Sequence, residues 1–506
     1  MIKRFEEFKP GADDYDVCVV GAGAIGICLL EEFAESGKRI LCAVGGAETV
    51  DDRWDRFNQC PTVRLPHEGV RTARPRIAGG ATTLWGGQAL PFQRFDFGHR
   101  PWVELPGWPI AFEEVDRYYT RARAYLGLPD HFPENVLADI RKTTASNISP
   151  DLEVLVSEWT AKPNLFQVKR NSLQTAKNID VVTDCQVVKL LPSGEGQRHN
   201  GAMLRSDSGT SLVICAPVII LASGTVENAR ILLETQRVAP RVQLSPLLGR
   251  CFQDHVVCNF ARLLPKNPRQ ISKSFGKRYC RGGKLMPKCH LPAKVQEQNR
   301  VLNAACHIIP EGGNLAELGR LRHERKWARL LKLVPALARY AVERVVFGHE
   351  YWWDRSFILE LHAEQEPCLQ SAVTLGNDVL QEGHHKPVLH WEVSSLTLQT
   401  IRVAGQYFMD LLTTARVGSF ENYFGQPPTE SELRAAIRDV YHMMGTTRMG
   451  TSIASGVVDV NSEVLGLPGV YVAGASVFPT GSFSNPTLTA IALAIRLTQH
   501  LKQTLH

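Results

Sequence analysis

Residues 15–26 read YDVCVVGAGAIG, and the fold turns on how they are read. A short run of apolar, β-branched residues bounded by glycine predicts a buried strand. Gly21, Gly23 and Gly26 then open a helix that runs to about Ser36, and a second strand, Arg39 to Val44, follows. This is the βαβ start of a dinucleotide-binding unit. The first glycine permits a tight turn, the second lets the backbone approach a pyrophosphate, and the third lets helix meet strand. The helix N-terminus then faces the negative charge. An acidic residue at the end of the second strand ordinarily holds the adenosine ribose, but Val44 stands there, with Gly45 and Gly46 behind it. Glu48 or Asp51 is the candidate substitute from the next loop; otherwise the ribose is held another way.

Outward from this unit, IAGGATTLWGGQALPF (Ile77 to Phe92) places two Gly-Gly pairs around small hydroxyl residues and one tryptophan. That composition predicts backbone pressed flat against a ring system. APVIILASGTVENARILLE (Ala216 to Glu234) is another apolar strand, glycine turn and helix. A second such unit argues against a plain nicotinamide dehydrogenase and for a flavin protein that wraps its dinucleotide from several sides. Strands are also expected over Ile179 to Leu190 and Met203 to Ile214. Residues 260–440 are patchier, with strand-like runs such as Ser356 to Gln365, and read as a substrate unit whose sheet roofs a pocket.

The C-terminal stretch from Tyr441 to Thr489 carries YHMMGTTRMG and GVYVAGASVFPTGSFSNPTLT. His442 lies in a segment too poor in helix signals to be a helix interior. Gly469 to Gly474 reads as a buried strand delivering backbone to a ligand, and Asn485-Pro486 starts a helix near Thr487.

At 506 residues the chain suffices for two domains and a large core. Its 44% hydrophobic and 21% charged residues are those of a soluble globular protein. A formal charge of +6 gives no reason to expect nucleic acid as a partner. The N-terminus lacks an apolar export segment, and the twelve cysteines include no Cys-x-x-Cys pair, so buried thiols, no metal and a cytoplasmic setting are expected. One span stands apart. Arg322 to Arg344 carries seven basic residues against Glu324 and Glu343, with apolar residues at helical spacing and a bend expected at Pro335. It reads as a solvated helix packed on its own domain or as a peripheral membrane contact through 322–345.

Together GAGAIG, GGATTLWGG, PGWPI, ASGTVENARILL, LGRCFQDH (Leu248 to His255) and HMMGTTRMG…GVYVAGASVFPTGSFSNPTLT resemble, in order, the glucose–methanol–choline (GMC) flavin oxidoreductases. The SNPTLT ending is most similar to the pyranose- and glycoside-oxidising side of that family. The resemblance implies an α/β fold: a Rossmann-like FAD-binding domain over 14–105, 180–260 and 440–506. It implies a discontinuous α+β substrate domain, an antiparallel sheet flanked by helices, over 106–179 and 261–439. It implies FAD held by Gly21, Gly23, Ala24, Gly26, Gly80, Thr82, Thr83, Trp85, Gly86, Gly87, Val187, Ser223, Gly224, Glu227, Gly474, Ala475, Asn485 and Thr487. Leu84 replaces the histidine that bonds covalently to the ring in some sugar oxidases, so non-covalent FAD is expected. The family's paired groups at the flavin face fall on His442 and Asn485.

Alcohol oxidation removes a proton from oxygen and a hydride from carbon, and flavin accepts the hydride. His442 is the expected base, near histidine's ordinary pKa, and Asn485 the group that orients the hydroxyl. His255 and His307 read as structural. The expected substrate is an alcohol on a sugar, glycoside or aminoglycoside-like molecule, with oxygen, a quinone or a protein as electron acceptor. The alternatives are a hydrophobic alcohol met at a membrane surface and a flavin-free binding protein.

Overall fold

Val17–Val20 is buried along its whole length, as a Val/Cys run covered on both faces must be. It lies between Val218–Leu221 and Ile40–Gly45, parallel to both. Val470–Val472 extends the parallel set on one side and Ile179–Leu191 on the other. Gly201–Ser206 and Ser211–Cys215 complete the sheet as antiparallel strands. The computed structural model describes all residues except 11–14, 130–133, 150, 195–198, 281–282, 313–333, 353, 381–382 and 506.

Parallel strands end at a common edge, and three of these end in glycine turns there: Gly21, Gly224 and Gly474. Gly21 has φ +107°, and a Cβ on it would meet the Ala222 carbonyl oxygen at 2.7 Å. A Cβ on Gly26 would lie 1.8 Å from the Gly21 carbonyl oxygen, so the helix Ala24–Phe33 can rise from the turn only with glycine there. That helix packs against the C-terminal helix Pro486–Thr504.

A second sheet is antiparallel, in the order Gly418–Asn422, Val256–Pro265, Phe357–Ala363, Ala304–Pro310, Gly283–His290, Glu153–Trp159, Gln88–Ala89. Its two faces differ, because strand side chains alternate. Cys289, Ile308, Leu359 and Leu361 belong to one apolar core, against which the helix Ser395–Thr414 packs with Leu398, Ile401 and Phe408. The strand registers put Ser157, Lys288, His307, Glu360 and His362 on the opposite face. Arg278–Cys280 pairs with Gly283–His290 at the side of this sheet, and Thr62–Arg64, Ala372–Val379 and His385–Trp391 form a separate three-stranded sheet.

Sheet membership crosses the expected unit boundaries. Ile2–Arg4, ahead of residue 14, pairs with Ile179–Leu191. Gln88–Ala89 joins the antiparallel sheet, and Thr62–Arg64 pairs with His385–Trp391. Val256–Pro265 belongs to the antiparallel sheet from its first residue, not from 261. These pairings depend on partners remote in sequence, which local patterns do not show.

All twelve cysteines are free and nine are buried, serving as small apolar fillers. Most of the basic stretch, from Arg322 to Lys332, lies outside the described residues. In the helix Val334–Val345, Pro335 sits in the first turn, where its missing N–H costs no intrahelical bond. No described helix is long and apolar enough to cross a membrane.

Candidate active site

A cavity of about 560 Å³ runs along the edge where the parallel strands end. Gly21, Gly23 and Ala24 form part of its wall, as do Gly80, Thr82, Trp85, Gly86 and Gly87 from the early glycine loop. Ser223, Gly224 and Glu227 come from the second strand–turn–helix, and Gly474, Ala475, Asn485 and Thr487 from the C-terminal block. His442 lines the same space. A Cβ on Gly23 or Gly224 would meet nothing within 4 Å, so two of these glycines leave open room where any other residue would project a side chain.

Three expected contacts point elsewhere. Gly26 is spent on the helix–turn packing described above. Thr83 turns back, its Oγ1 donating to the Gly80 carbonyl at 2.8 Å. Val187 is buried in its strand, and its carbonyl accepts from Arg230 Nη2 at 2.8 Å.

The ribose position also differs from expectation. Val44 and Gly45 reach the cavity, whereas Glu48 and Asp51 do not line it. Glu48 is bound by Arg170 Nε at 2.6 Å, and Asp51 caps the turn Asp52–Asn58 while pairing with Arg53. In their place Arg74 and Arg76 line the wall beside Glu227. Glu227 accepts ion pairs from Arg76 Nη2 at 2.9 Å, Arg74 Nη1 at 3.3 Å and Arg230 Nε at 2.8 Å. Burial pushes this carboxyl up, but the Arg76, Arg230 and Arg74 guanidiniums together hold it well below the carboxylate range.

The two residues expected at the reacting face do meet. Asn485 Nδ2 lies 2.9 Å from His442 Nε2, although 43 residues separate them in the chain. Lys288 Nζ, 3.5 Å from Asn485 Oδ1, fixes which end of the amide is the oxygen. The amide N–H therefore donates to Nε2, and His442 presents a lone pair there. Its Nδ1 is 2.9 Å from His255 Nδ1, consistent with Nδ1–H donating to His255.

One carboxylate anchors both imidazoles. Asp254 Oδ1 accepts the backbone N–H of His442 at 2.8 Å and of His255 at 2.7 Å. Its Oδ2 is 3.1 Å from Nε2 of His67, a fully buried ring whose Nδ1 lies 3.3 Å from Asp439 Oδ2. Burial lowers the His442 pKa to about 4; Asp254 opposes the shift, and Lys288 and His362 add to it. This is below the near-neutral value expected from the sequence, because the ring gives up much of its hydration in the fold. Burial likewise pulls His255 well below the histidine range, with His442 and Lys288 adding to the effect. His442 is thus a neutral imidazole over the whole physiological range.

The sequence reading missed Asp254, His67 and Lys288, and treated His255 as merely structural. Asp254 and His255 were within reach, since LGRCFQDH is one of the quoted motifs. His67 and Lys288 sit in stretches with no local signal. His307, expected to be structural, lies on the roof sheet with Glu360 and His362; its Nδ1 is 3.9 Å from Glu360 Oε1.

Residues 369–494 match the GMC oxidoreductase family. The chain is 48% identical over 61 residues to a C-glycoside 3-oxidase of Microbacterium trichothecenolyticum, a stretch that spans 12% of each protein. It is 22% identical over 561 aligned positions to the 6'''-hydroxyparomomycin C oxidase of Streptomyces lividus, covering 96% of this chain and 92% of that one. The structure of a formate oxidase superposes with a TM-score of 0.60 at 16% identity, covering 99% of this chain and 100% of the other; at that identity the likeness speaks for the mixed α/β fold. The segment that matches the GMC oxidoreductase family contains both His442 and Asn485.

Proposed function

We propose that the protein binds FAD non-covalently in the cavity and oxidises an alcohol to a carbonyl on a sugar, glycoside or aminoglycoside-like substrate. The observation that carries this reading is the His442–Asn485 pair at the wall of a cavity whose other walls are glycine turns. Gly23 and Gly224 leave the open room a pyrophosphate and its ribityl chain need. Thr487, in the first turn of the helix Pro486–Thr504, aims a helix N-terminus at the same space. Arg74 and Arg76 stand where the missing ribose acid would act. Bound FAD supplies the hydride acceptor, a role no side chain fills.

The chain's own residues do the rest. A substrate hydroxyl entering between the pair replaces their mutual hydrogen bond, donating its proton to His442 Nε2 and accepting from Asn485 Nδ2. The proton moves to Nε2 as the carbon gives up its hydride, leaving a carbonyl. His255 Nδ1 accepts from His442 Nδ1–H and so stabilises the imidazolium that forms. Asp254 holds both rings by their backbones and supplies the compensating negative charge. The test is anaerobic bleaching of the purified yellow protein by a panel of glycosides and aliphatic alcohols. A colourless protein that refuses added FAD would leave the flavin-free binding reading instead.

A second reading, peripheral contact with an anionic membrane, is supported by Val345 and Phe347, which are 82% and 60% exposed just beyond Arg344. Liposome sedimentation of the wild type beside a protein neutralised at Arg325, Lys326 and Arg329 tests it; equal, negligible binding ends it.

A further inference from the structure

Lys288 is an unusual occupant of its position. It lies on the polar face of the roof sheet, 2% exposed, and a buried ammonium ordinarily has a carboxylate against it. Among the described residues none lies within ion-pair distance, and its bonded neighbour is the Asn485 amide oxygen at 3.5 Å. Glu360, on the same face, is already committed. Its Oε1 is 2.8 Å from His362 Nε2, and its Oε2 is paired with Arg438. Among the described residues, the roof beside the reacting pair therefore carries one ammonium with no carboxylate in contact with it. His307 Nε2, also on that face, is buried without a partner. Lys288 stands one side chain behind the cavity wall, since Asn485 lines the cavity, and an unsatisfied buried charge so placed acts on the charge of whatever the cavity holds.

We propose that Lys288 is the specificity-determining residue of this site, admitting glycosides that are uncharged or bear a carboxylate near the oxidised carbinol and excluding those that bear an ammonium there. The inference rests on the glycoside-oxidation reading above and narrows it. Asn485 lines the cavity and its amide oxygen is 3.5 Å from Lys288 Nζ, so a charge held on the cavity side of Asn485 is separated from the ammonium by a single amide group. Two like charges about 6 Å apart at an effective dielectric of about 20 disfavour each other about 100-fold. A carboxylate at the same place gains by a comparable attraction, less the cost of its desolvation. Like-charge juxtaposition is a standard means of rejecting the wrong partner. Burial brings the Lys288 pKa down to about 8, with Glu360 opposing the shift, so the charge persists at neutral pH.

The test uses the flavin-loaded protein and three matched methyl glycosides: neutral, uronic acid, and one carrying a quaternary ammonium whose charge does not titrate. Anaerobic flavin bleaching gives the reduction rate constant divided by the apparent Kd for each. For the wild type the ammonium glycoside is expected to fall roughly 10- to 100-fold below the neutral one. Lys288→Gln should close that gap at least tenfold, and Lys288→Arg, which keeps the charge, should preserve it. A simple loss of structure would lower all three substrates together and leave the ratio unmoved. Wild-type discrimination needs no variant to fold, so it stands as a test by itself. Bleaching by the neutral and ammonium glycosides with equal efficiency in the wild type, or an unchanged ratio in a Lys288→Gln protein that keeps full flavin content and wild-type reduction by the neutral glycoside, overturns the inference while leaving glycoside oxidation intact. Bleaching by simple aliphatic alcohols with none of the three glycosides active overturns the parent reading and the inference together.

Discussion

Replacing Asp254 with asparagine tests whether the two imidazoles are held in register by one carboxylate. Asparagine keeps the shape and can leave an oxygen facing the backbone N–H groups of His442 and His255, now 2.8 and 2.7 Å from Oδ1. What is lost is charge. A hydrogen bond to a charged group contributes about 1.5–3 kcal/mol and a neutral one about 0.5–1.5, so two bonds weaken by about 2 kcal/mol in sum. If that energy holds His442 in its reacting position, flavin reduction slows roughly 30-fold, at about 1.4 kcal/mol per factor of ten. The pH dependence gives an independent sign. Asp254 raises the proton affinity of His442 against burial, so its neutralisation moves the His442 pKa below about 4, and the acid limb of the reduction rate shifts to lower pH. The assay is rapid-mixing anaerobic reduction of wild type and Asp254→Asn, from pH 4 to 8, with flavin content measured on each. A wild-type rate constant with full flavin content, or an acid limb displaced upward, refutes the reasoning.

His442→Ala should slow substrate reduction of the flavin about 10²- to 10⁴-fold with FAD still bound, as removal of a general base does; an unchanged rate constant defeats the assignment. In the wild type, reduction should fall only as pH drops toward about 4, where His442 gains its proton; a limb centred near the ordinary histidine value of about 6.5 contradicts it. Gly23→Val adds a side chain where a Cβ meets no neighbour and φ is −80°. The variant is expected to fold with an unchanged melting temperature and emerge colourless, and full flavin content would show that the glycine turn is not the cradle. Arg100 and Glu364 form a buried bidentate pair at 2.7 and 2.6 Å. Glu364→Gln should therefore cost about 3–5 kcal/mol by denaturant unfolding, and a loss under 1 kcal/mol would remove that pair from the account of stability.

The legible parts of the chain were those whose signal is local. Val17 to Phe33 announces a strand, a turn and a helix within seventeen positions, and the C-terminal block does the same around Gly474 and Asn485. His442 and Asn485 were singled out together by the family's motif order; the glycine- and threonine-rich segment around His442 said by itself only that it is no helix interior. The illegible parts depend on pairs far apart. Lys288 carries no local signal, and becomes informative only when its ammonium is found beside Asn485, 197 residues away. His67 acquires a role only between Asp254 and Asp439. Val187, which the family resemblance put among the FAD contacts, is buried in its strand, where Arg230, reaching from the helix Thr225–Val238, claims its carbonyl. The near-neutral pKa expected of His442 failed because burial is a property of the whole assembly of walls, not of the motif.

The antiparallel roof separates two tasks at neighbouring positions of the same strand. Cys289, Ile308 and Leu361 face the apolar core, while Lys288, His307 and His362, one residue before or after each, face the side on which Lys288 meets Asn485. Odd and even positions can consequently diverge under different selection. A library confined to the second set would change appetite while sparing the framework, and a new catalyst drawn from it should melt where its parent does.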